Sequence, residues 1–318
     1  ANWPIQAYFI PDGVASYTVG GTTFLVTANE GDEKEYTGFT ERVAVGAGAY
    51  TLDATNFPNA SVLKQNHNLG RFRVTNLNGN TDADAQFETI HCLGTRSFSI
   101  FNTSTKQIVF DSGDDFERYT AANLPTLFNA DHENNTPKGR SRAKGPEPEG
   151  VTIAQIATET FAFVSLERVG GVIVYNITNP NNPVFVDYKN SRSTSAYSGD
   201  HGPEGITYIA PANSATAKGY VLVANEISGT ITIYEVDENT LSSSDFNSEP
   251  KTFVIFPNPA SNSEIVYFNR VADIEVYDVT GKLILTEKEA LSINTSKLQT
   301  GVYLVKTSEG ITKKLVVK

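Results

Sequence analysis

The sequence predicts an all-β protein with two domains, a partial or multi-bladed β-propeller followed by a small Ig-like β-sandwich. Three observations support this: alternating runs of β-branched and aromatic residues, a unit repeated within the first 236 residues, and a change of charge after residue 250. The 318 residues are enough for one large domain or two ordinary ones. Amphipathic patterns with a 3.6-residue period are scarce, so few helices are expected.

The repeat predicts the architecture of residues 1–236. Residues 161–177 align without a gap on residues 220–236, and a Pro-Glu-Gly turn precedes each copy. A third copy lies at residues 11–30, where the turn is Pro-Asp-Gly. Each copy is typical of a propeller blade, with an inner strand, a second strand that ends in Glu, a Gly turn and a third strand.

A degenerate blade is predicted between the first and second copies in the chain, around residues 97–111. The total is then three to four blades, whereas propellers normally have at least four. The chain contains no methionine, so we expect further residues to precede Ala1 and the blades to belong to a larger ring.

The distribution of charge predicts where the second domain begins. Residues 251–318 hold nine basic and seven acidic residues, which leaves 16 basic and 29 acidic residues in the first 250. Residues 237–252 are polar and Ser-rich and include a Pro, as expected of a surface linker. Residues 253–318 then alternate between apolar and polar positions and contain Gly turns, which predicts six or seven short strands in a small sandwich.

The composition excludes several classes of function. A net charge of −11 repels phosphate backbones, so nucleic acid is not an expected partner. No run approaches the roughly 18 apolar residues of a transmembrane helix, so the chain is not expected to span a membrane. The single cysteine, Cys92, excludes internal disulfides and is expected to be a buried, unreactive thiol.

Acidic residues recur at equivalent places in the repeat and are the main candidates for a site. Converging carboxylates repel one another unless a cation lies among them, and oxygen ligands favour Ca²⁺ or Mg²⁺, with Ca²⁺ the expected ion. The alternative is that each carboxylate caps backbone amides of its own blade. The candidate metal ligands are Asp12, Glu149 and Glu204 in the turns, and Glu30, Glu167 and Glu226 at the strand ends.

Two other charged segments are candidate sites. Residues 78–88 place oxygen-bearing side chains at alternate positions, as a calcium loop does, but Ala85 stands where a Gly would make the sharp turn. Arg140, Arg142 and Lys144 precede the Pro-Glu-Gly turn at residues 148–150, where they could clamp a phosphate or neutralise the carboxylates.

The sequence lacks the usual motifs of covalent and zinc-dependent catalysis. The sequence contains no Gly-x-Ser-x-Gly, no His-Glu-x-x-His and no P-loop, so no catalytic residue is assigned. The loop histidines His132 and His201 are expected to be ordinary surface residues.

Several short motifs follow one another through the first part of the chain, at residues 2–5, 11–13, 26–32, 68–71, 96–100, 110–117 and 145–151. Through these motifs, which stand in the expected order, residues 1–236 resemble the choice-of-anchor I family. The resemblance implies a bacterial extracellular β-propeller, usually about twice as long as this chain, and some members carry alkaline-phosphatase-like or phytase-esterase-like labels. The family's acidic loop is less acidic here, at Ala83 and Ala85, which weakens the case for a calcium ion at that loop.

The last part of the chain carries a second set of motif residues, Pro257, Asn258, Pro259, Gly301, Tyr303, Lys313 and Lys314. With these residues, 253–318 resemble the type A C-terminal sorting domain of the Bacteroidota type IX secretion system. The resemblance implies export across the outer membrane to the cell surface or the medium, through contacts with the translocon and outer-membrane shuttle proteins. In the family this domain is commonly removed at the surface.

Two hypotheses of function follow. The first is an exported β-propeller that binds a ligand or partner without catalysis. The second is a calcium-dependent, alkaline-phosphatase-like phosphoesterase, in which Glu149 and Glu204 hold the metal and Arg140 and Arg142 clamp phosphate. The repeated carboxylates favour the second hypothesis, and the lack of a nucleophile or of clustered histidines favours the first.

Overall fold

The computed structural model describes residues 3–82, 84–237, 241, 253–308 and 310–318, with the side chains of 269 and 270 left aside. The chain divides into two compact units, Ala1–Ser244 and Asp245–Lys318. Both units consist mainly of β-strands, so the predicted all-β class is confirmed. The linker predicted at 237–252 lies outside the described residues, apart from Asp237 and Leu241.

Three antiparallel sheets dominate the first unit. The first strand of one sheet directly follows the Pro-Asp-Gly turn, and the first strands of the other two contain the Pro-Glu-Gly turns. Antiparallel neighbours suit these short strands because tight turns join them. The first sheet contains β2 (Val14–Val19), β3 (Thr22–Ala28), β11 (Phe98–Asn102) and β12 (Gln107–Asp111). The second contains β13 (Pro148–Ile156), β14 (Glu159–Leu166), β15 (Val172–Asn176) and β16 (Val184–Lys189). The third contains β17 (Pro203–Ile209), β18 (Gly219–Asn225) and β19 (Thr230–Val236).

The degenerate blade predicted around residues 97–111 is not a separate sheet. β11 pairs with β3, with Ile100 opposite Val26, and therefore supplies the third strand of the first sheet. β12 then pairs with β11 as the fourth strand. The expectation was wrong because residues 29–97 are an insertion between the second and third strands of one sheet, and sequence spacing alone does not show which strands pair.

The first strands of successive sheets lie against one another through their glycines. The Gly13 amide donates a hydrogen bond to the Glu149 carbonyl oxygen, 2.9 Å away. A Cβ on Gly13 would lie 2.5 Å from that oxygen, and a Cβ on Gly150 would lie 2.6 Å from the Glu204 carbonyl oxygen. This arrangement is the one expected between neighbouring propeller blades, while closure of a ring and its blade number stay predictions.

Each interface between successive sheets has its own apolar core. Alternate side chains of a strand point to opposite faces, so β14 contributes to both cores. Val164 packs with Val26 and Phe98 between the first two sheets, and Phe163 packs with Val221 between the second and third. The apolar residues of the repeat therefore hold the sheets together face to face.

The insertion contains short strands and a separate small core around Tyr50. A nine-residue helix, α2, follows the first sheet, and its Phe116 is fully buried in the core of that sheet. The strands of the insertion are β4 (Glu35–Tyr36), β5 (Phe39–Thr40), β6 (Arg42–Ala44), β7 (Thr51–Leu52), β8 (Arg73–Thr75), β9 (Gln86–Phe87) and β10 (Ile90–Cys92). β1 (Ile5–Ala7), near the start of the chain, pairs with β10. The helices of the unit are α1 (Ala60–Leu63), α2 (Asp115–Asn123) and the 3₁₀ turn Pro211–Asn213.

The second unit is one bent sheet of five strands among its described residues, rather than six or seven short ones. Two of the strands are long, with 14 and 12 residues. Register shifts near Ala272 and Val276 interrupt the pairing of these two strands. Such bulges bend a strand, so that its two halves run in different directions within the sheet. The strands are β20 (Ile255–Phe256), β21 (Ile265–Asp278), β22 (Leu283–Asn294), β23 (Gly301–Thr307) and β24 (Thr312–Val317), with a 3₁₀ turn at Thr295–Lys297.

Neither unit contains, in its described part, a helix with the length and apolar character that a bilayer crossing demands.

Candidate functional site

Three of the predicted metal ligands, Asp12, Glu30 and Glu149, form one cluster. Their carboxylate oxygens lie within 4.8 Å of one another, with Asp12 exposed and the two glutamates half-buried. One oxygen of Glu149, Oε2, is buried and has no hydrogen-bond partner within the described structure. An unpaired buried carboxylate oxygen is costly, so this cluster provides a place for a cation.

Backbone contacts between the first two sheets bring the cluster together. Asp12 and Glu30 flank the pair β2–β3, and the Asp12 amide donates to the Ala28 carbonyl oxygen at 3.0 Å. Glu149 lies in β13 and is held beside Asp12 by the hydrogen bond from Gly13. Because the same turn recurs in each sheet, packing the sheets side by side places acidic residues side by side.

Burial and the repulsion of nearby carboxylates raise the pKa values of Glu149 and Glu30. The pKa of Glu149 rises to about 9, chiefly through burial and then through the charges of Glu30, Glu167, Asp12 and Glu204. The pKa of Glu30 rises to about 7 through burial, although its hydrogen bond from Lys144 opposes the shift. A proton or a cation among these carboxylates would relieve their repulsion.

A second cluster, Glu30, Glu147 and Glu167, shares Glu30 with the first. Glu147 is fully buried and contacts three cations: Arg140 at 2.5 Å, Lys144 at 3.0 Å and Arg168 at 3.1 Å. Lys144 also pairs with Glu30. Burial alone would raise the pKa of Glu147, but the charges of Lys144, Arg140 and Arg168 outweigh it and hold that pKa below its usual value. Protein cations already neutralise this second cluster.

Glu167 completes the second cluster through two partners. Its carboxylate lies 2.8 Å from His132 Nδ1 and 3.1 Å from Arg168 Nε. Sequence reasoning did not single out Glu147, Arg168 or His132 as members of this network. One signal was present: the residue after the repeated Glu is Arg168 in the second copy, where the other copies have Gly31 and Ile227.

The remaining two predicted ligands, Glu204 and Glu226, form a pair at the third sheet. Both are exposed. Burial and a hydrogen bond with Glu226 raise the pKa of Glu204, and the charges of Asp12 and Glu167 add to the shift. The six predicted carboxylates therefore belong to one connected electrostatic patch, with the closest contacts around Glu30 and Glu149.

The raised pKa of Glu149 predicts how stability depends on pH in the presence of a chelator. Between about pH 5 and pH 9 the native state keeps a proton that the unfolded chain has released, so the free energy of unfolding falls as pH rises through this window. We expect Glu149→Gln to flatten this slope, because Gln does not titrate. Urea unfolding at pH 5, 7 and 9 measures it, and equal slopes for the two proteins would contradict the prediction.

The predicted phosphate-binding residues separate in the structure. Arg140 and Lys144 are paired with Glu147, as expected if they neutralise the carboxylates. Arg142 is exposed, and among the described residues no acidic side chain forms an ion pair with it. The three residues therefore do not act as one basic cluster.

The acidic loop at 78–88 also brings carboxylates together. Oxygens of Asp82, Asp84 and Glu88 lie within 4.8 Å of one another. Ala85 adopts φ +89°, the left-handed region that Gly favours, and Ala83 lies outside the described residues. Glu88 accepts hydrogen bonds from the amide and hydroxyl of Thr81, so part of the cluster is satisfied within the loop.

Both histidines expected at the surface are buried, so that expectation was wrong. His132 is 8% exposed and His201 is 4% exposed. The polar sequence around each one does not reveal that neighbouring loops cover it: the ring of Tyr197 lies 4.4 Å from that of His201. Cys92 is buried, as predicted.

The predicted sorting residues lie along one edge and the adjoining strands of the second unit. The Asn258 side chain exchanges two hydrogen bonds with the backbone of β24, accepting from Val316 and donating to Lys314 at 2.6 Å. The Asn258 side chain, between Pro257 and Pro259, thereby bonds to β24 as the backbone of a neighbouring strand would. Gly301 and Tyr303 lie in β23, and Lys313 and Lys314 in β24. The Tyr303 ring is buried, and its hydroxyl donates to the Gln299 carbonyl oxygen.

Two models of known families match separate parts of the chain. Residues 1–180 match the model of the choice-of-anchor I domain, and residues 254–318 match that of the secretion system C-terminal sorting domain.

Two curated proteins are similar to the chain over part of their length. Gigasin-3a of Magallana gigas is 26% identical over 184 residues, which cover 53% of this chain and 64% of that protein. The mesenchyme-specific cell surface glycoprotein of Strongylocentrotus purpuratus is 21% identical over 265 residues, which cover 73% of this chain and 32% of that protein. The chain thus spans less than two thirds of either relative.

Among solved structures, a biofilm-associated protein (BSP domain) matches with a TM-score of 0.19 and 15% identity, over 70% of this chain and 42% of that one.

Proposed function

Since the chain belongs to the choice-of-anchor I family and ends in a secretion system C-terminal sorting domain, we propose that it is an exported protein whose first unit binds a ligand with the help of a calcium ion. Its destination is the cell surface or the extracellular space, because the sorting domain directs it there. Direct contacts of residues 253–318 with the translocon and shuttle proteins are part of the proposal.

One observation carries the calcium proposal: Glu149 has a buried oxygen without a hydrogen-bond partner, beside Asp12 and Glu30. Lys144, Arg140 and Arg168 are engaged by the second cluster, so they leave this oxygen to another cation. Carboxylate oxygens without nitrogen or sulfur ligands suit a hard cation, and Ca²⁺ accepts six to eight oxygens in flexible geometry.

The exposure of the cluster supports binding of a ligand. Asp12 is exposed while the two glutamates are half-buried, so an ion held by all three faces solvent on one side. Calcium needs more oxygens than three carboxylates supply when each binds through one atom. Water or oxygens of an extracellular ligand would complete its coordination.

The phosphoesterase alternative has less support. It requires cations that are free to clamp a phosphoryl group beside the metal. Arg140 and Lys144 are instead the partners of the buried Glu147. Moving them onto a substrate would leave that carboxylate uncompensated, so we prefer binding to catalysis.

Calorimetric titration of the chelator-treated chain with CaCl₂ tests the proposal. We expect saturable binding at the Glu149 cluster, and a loss of about tenfold or more in affinity in Glu149→Gln, because one charged ligand is removed. Asp84→Asn, in the other acidic loop, is the matched control and should leave this binding unchanged.

Two outcomes would overturn the calcium proposal. One is the absence of calcium binding by the native chain. The other is binding that is unchanged in Glu149→Gln and abolished in Asp84→Asn, which would assign the ion to the loop.

A further inference from the structure

A cavity of about 420 Å³ opens in the first unit. None of the six predicted metal ligands lines it. Its walls come from the start of the chain, the loop that follows α1, the segment after β10 and residues 141–142. The volume falls in the range of small-molecule sites.

The cavity is positively charged, although the protein as a whole carries a net charge of −11. Three arginines, Arg71, Arg96 and Arg142, line it, and Glu117 is the one acidic residue in its wall. Arg96 pairs with Glu117 at 2.8 Å, so this acid is already neutralised. Within the described part of the chain, Arg71 and Arg142 have no acidic partner, and both are exposed.

Arg96 fixes the position of the chain beside the arginines that have no acidic partner among the described residues. Arg96 Nη2 donates to the carbonyl oxygens of Ser141 and Ala143, at 2.9 and 2.7 Å, and so holds the backbone on either side of Arg142. Its guanidinium also lies over the ring of Phe72, 5.5 Å from the centroid, next to Arg71. Arg142 therefore projects from anchored backbone, and Arg71 is itself held by the hydrogen bond from its Nε to the Asn66 carbonyl oxygen, 3.3 Å away. Both restraints reduce the entropy lost on binding a ligand.

The rim provides an aromatic surface. Trp3 lines the cavity and is 37% exposed, so its indole is available to a ligand. An indole face packs against the C–H face of a sugar ring, and guanidinium groups bind carboxylate or sulfate through paired hydrogen bonds. His67 and Ser141 add polar contacts around the same space.

We propose that this cavity binds an acidic sugar, with its ring against Trp3 and its carboxylate or sulfate group between Arg71 and Arg142. Uronate and sulfated sugars share this chemistry, which combines one oxyanion with one ring. The site is separate from the calcium cluster and does not depend on it.

Trp3 is the only tryptophan of the chain, so its fluorescence reports on this cavity directly. The experiment titrates the full chain with four compounds: glucuronate, glucose 6-sulfate, glucose and inorganic sulfate. We expect a saturable change with at least one acidic sugar, no change with glucose, and weaker binding of sulfate ion alone. Arg71→Gln and Arg142→Gln should each weaken sugar binding about tenfold, the effect of one lost charged hydrogen-bonding group.

Arg118→Gln is the matched control, because Arg118 is exposed, pairs with Asp115 and does not line the cavity. It should bind like the native chain. No response to either acidic sugar would overturn the proposal, as would equal binding of glucose. Sulfate binding as tight as that of the sugars would identify a simple anion site. Binding that is unchanged in both arginine variants would also contradict the proposal.

Discussion

Replacing Glu147 by Ala is expected to lower the free energy of unfolding of the first unit by about 3–5 kcal/mol. Glu147 is fully buried and is the common partner of Arg140, Lys144 and Arg168. Removal of its carboxylate leaves part of the charge of the buried Lys144 and of the half-buried Arg140 and Arg168 uncompensated. Breaking a buried ion pair from one side costs more than the pair contributes, because the remaining charge has lost its hydration as well as its partner.

Urea unfolding of the native chain and the variant at pH 7 measures this effect. Glu133→Ala is the matched control, since Glu133 is an exposed acid in the same loop region as Asp131 and should leave the unfolding midpoint unchanged. A surface ion pair contributes at most about 1 kcal/mol. If Glu147→Ala lowers the free energy of unfolding by less than that, the result would contradict the prediction that this buried ion-pair network stabilises the first unit.

Replacing Gly13 by Ala is expected to destabilise the same unit by about 1–3 kcal/mol, the usual cost of overpacking. The new Cβ would lie 2.5 Å from the Glu149 carbonyl oxygen and 2.9 Å from the Gly150 Cα, both backbone atoms that have no rotamer to relieve the clash. β2 and β13 would have to move apart, which also separates Asp12 from Glu149. We therefore expect calcium affinity to fall together with stability.

Thermal unfolding measures the first effect, at about 2–4 °C per kcal/mol for a unit of this size. Gly48→Ala is the control, because no atom lies within 4 Å of its added Cβ and its φ is outside the left-handed region. We expect Gly48→Ala to change the free energy of unfolding by less than about 0.5 kcal/mol. Equal midpoints for Gly13→Ala and the native chain would show that the first strands are not in close contact.

The repeat was the most informative part of the sequence. The alignment of 161–177 on 220–236 predicted two antiparallel strand pairs, and in the structure β14–β15 and β18–β19 occupy those residues. The Pro-Asp/Glu-Gly turns predicted that Asp12, Glu149 and Glu204 converge. In the structure Asp12 and Glu149 lie together with Glu30, whereas Glu204 pairs with Glu226. The strand pairs were predictable because they depend on neighbouring residues.

Other features depend on contacts between residues far apart in sequence. β11 joins β3 across an insertion of about 70 residues, which no local pattern specifies. The pairing of Glu147 with Arg168 likewise depends on how the loop at 139–147 packs over the second sheet. Burial of His132 and His201 follows from the same packing, whereas polar neighbours in the sequence indicated a surface position.

The central claim, a cation held by Asp12, Glu30 and Glu149, is tested most directly by crystals of the chain grown with calcium chloride. An anomalous difference map shows the position of the ion. We predict a peak about 2.3–2.6 Å from carboxylate oxygens of this cluster, including the buried Glu149 Oε2. A map with no peak there, in crystals whose acidic loop at 82–88 does hold the ion, would contradict the account.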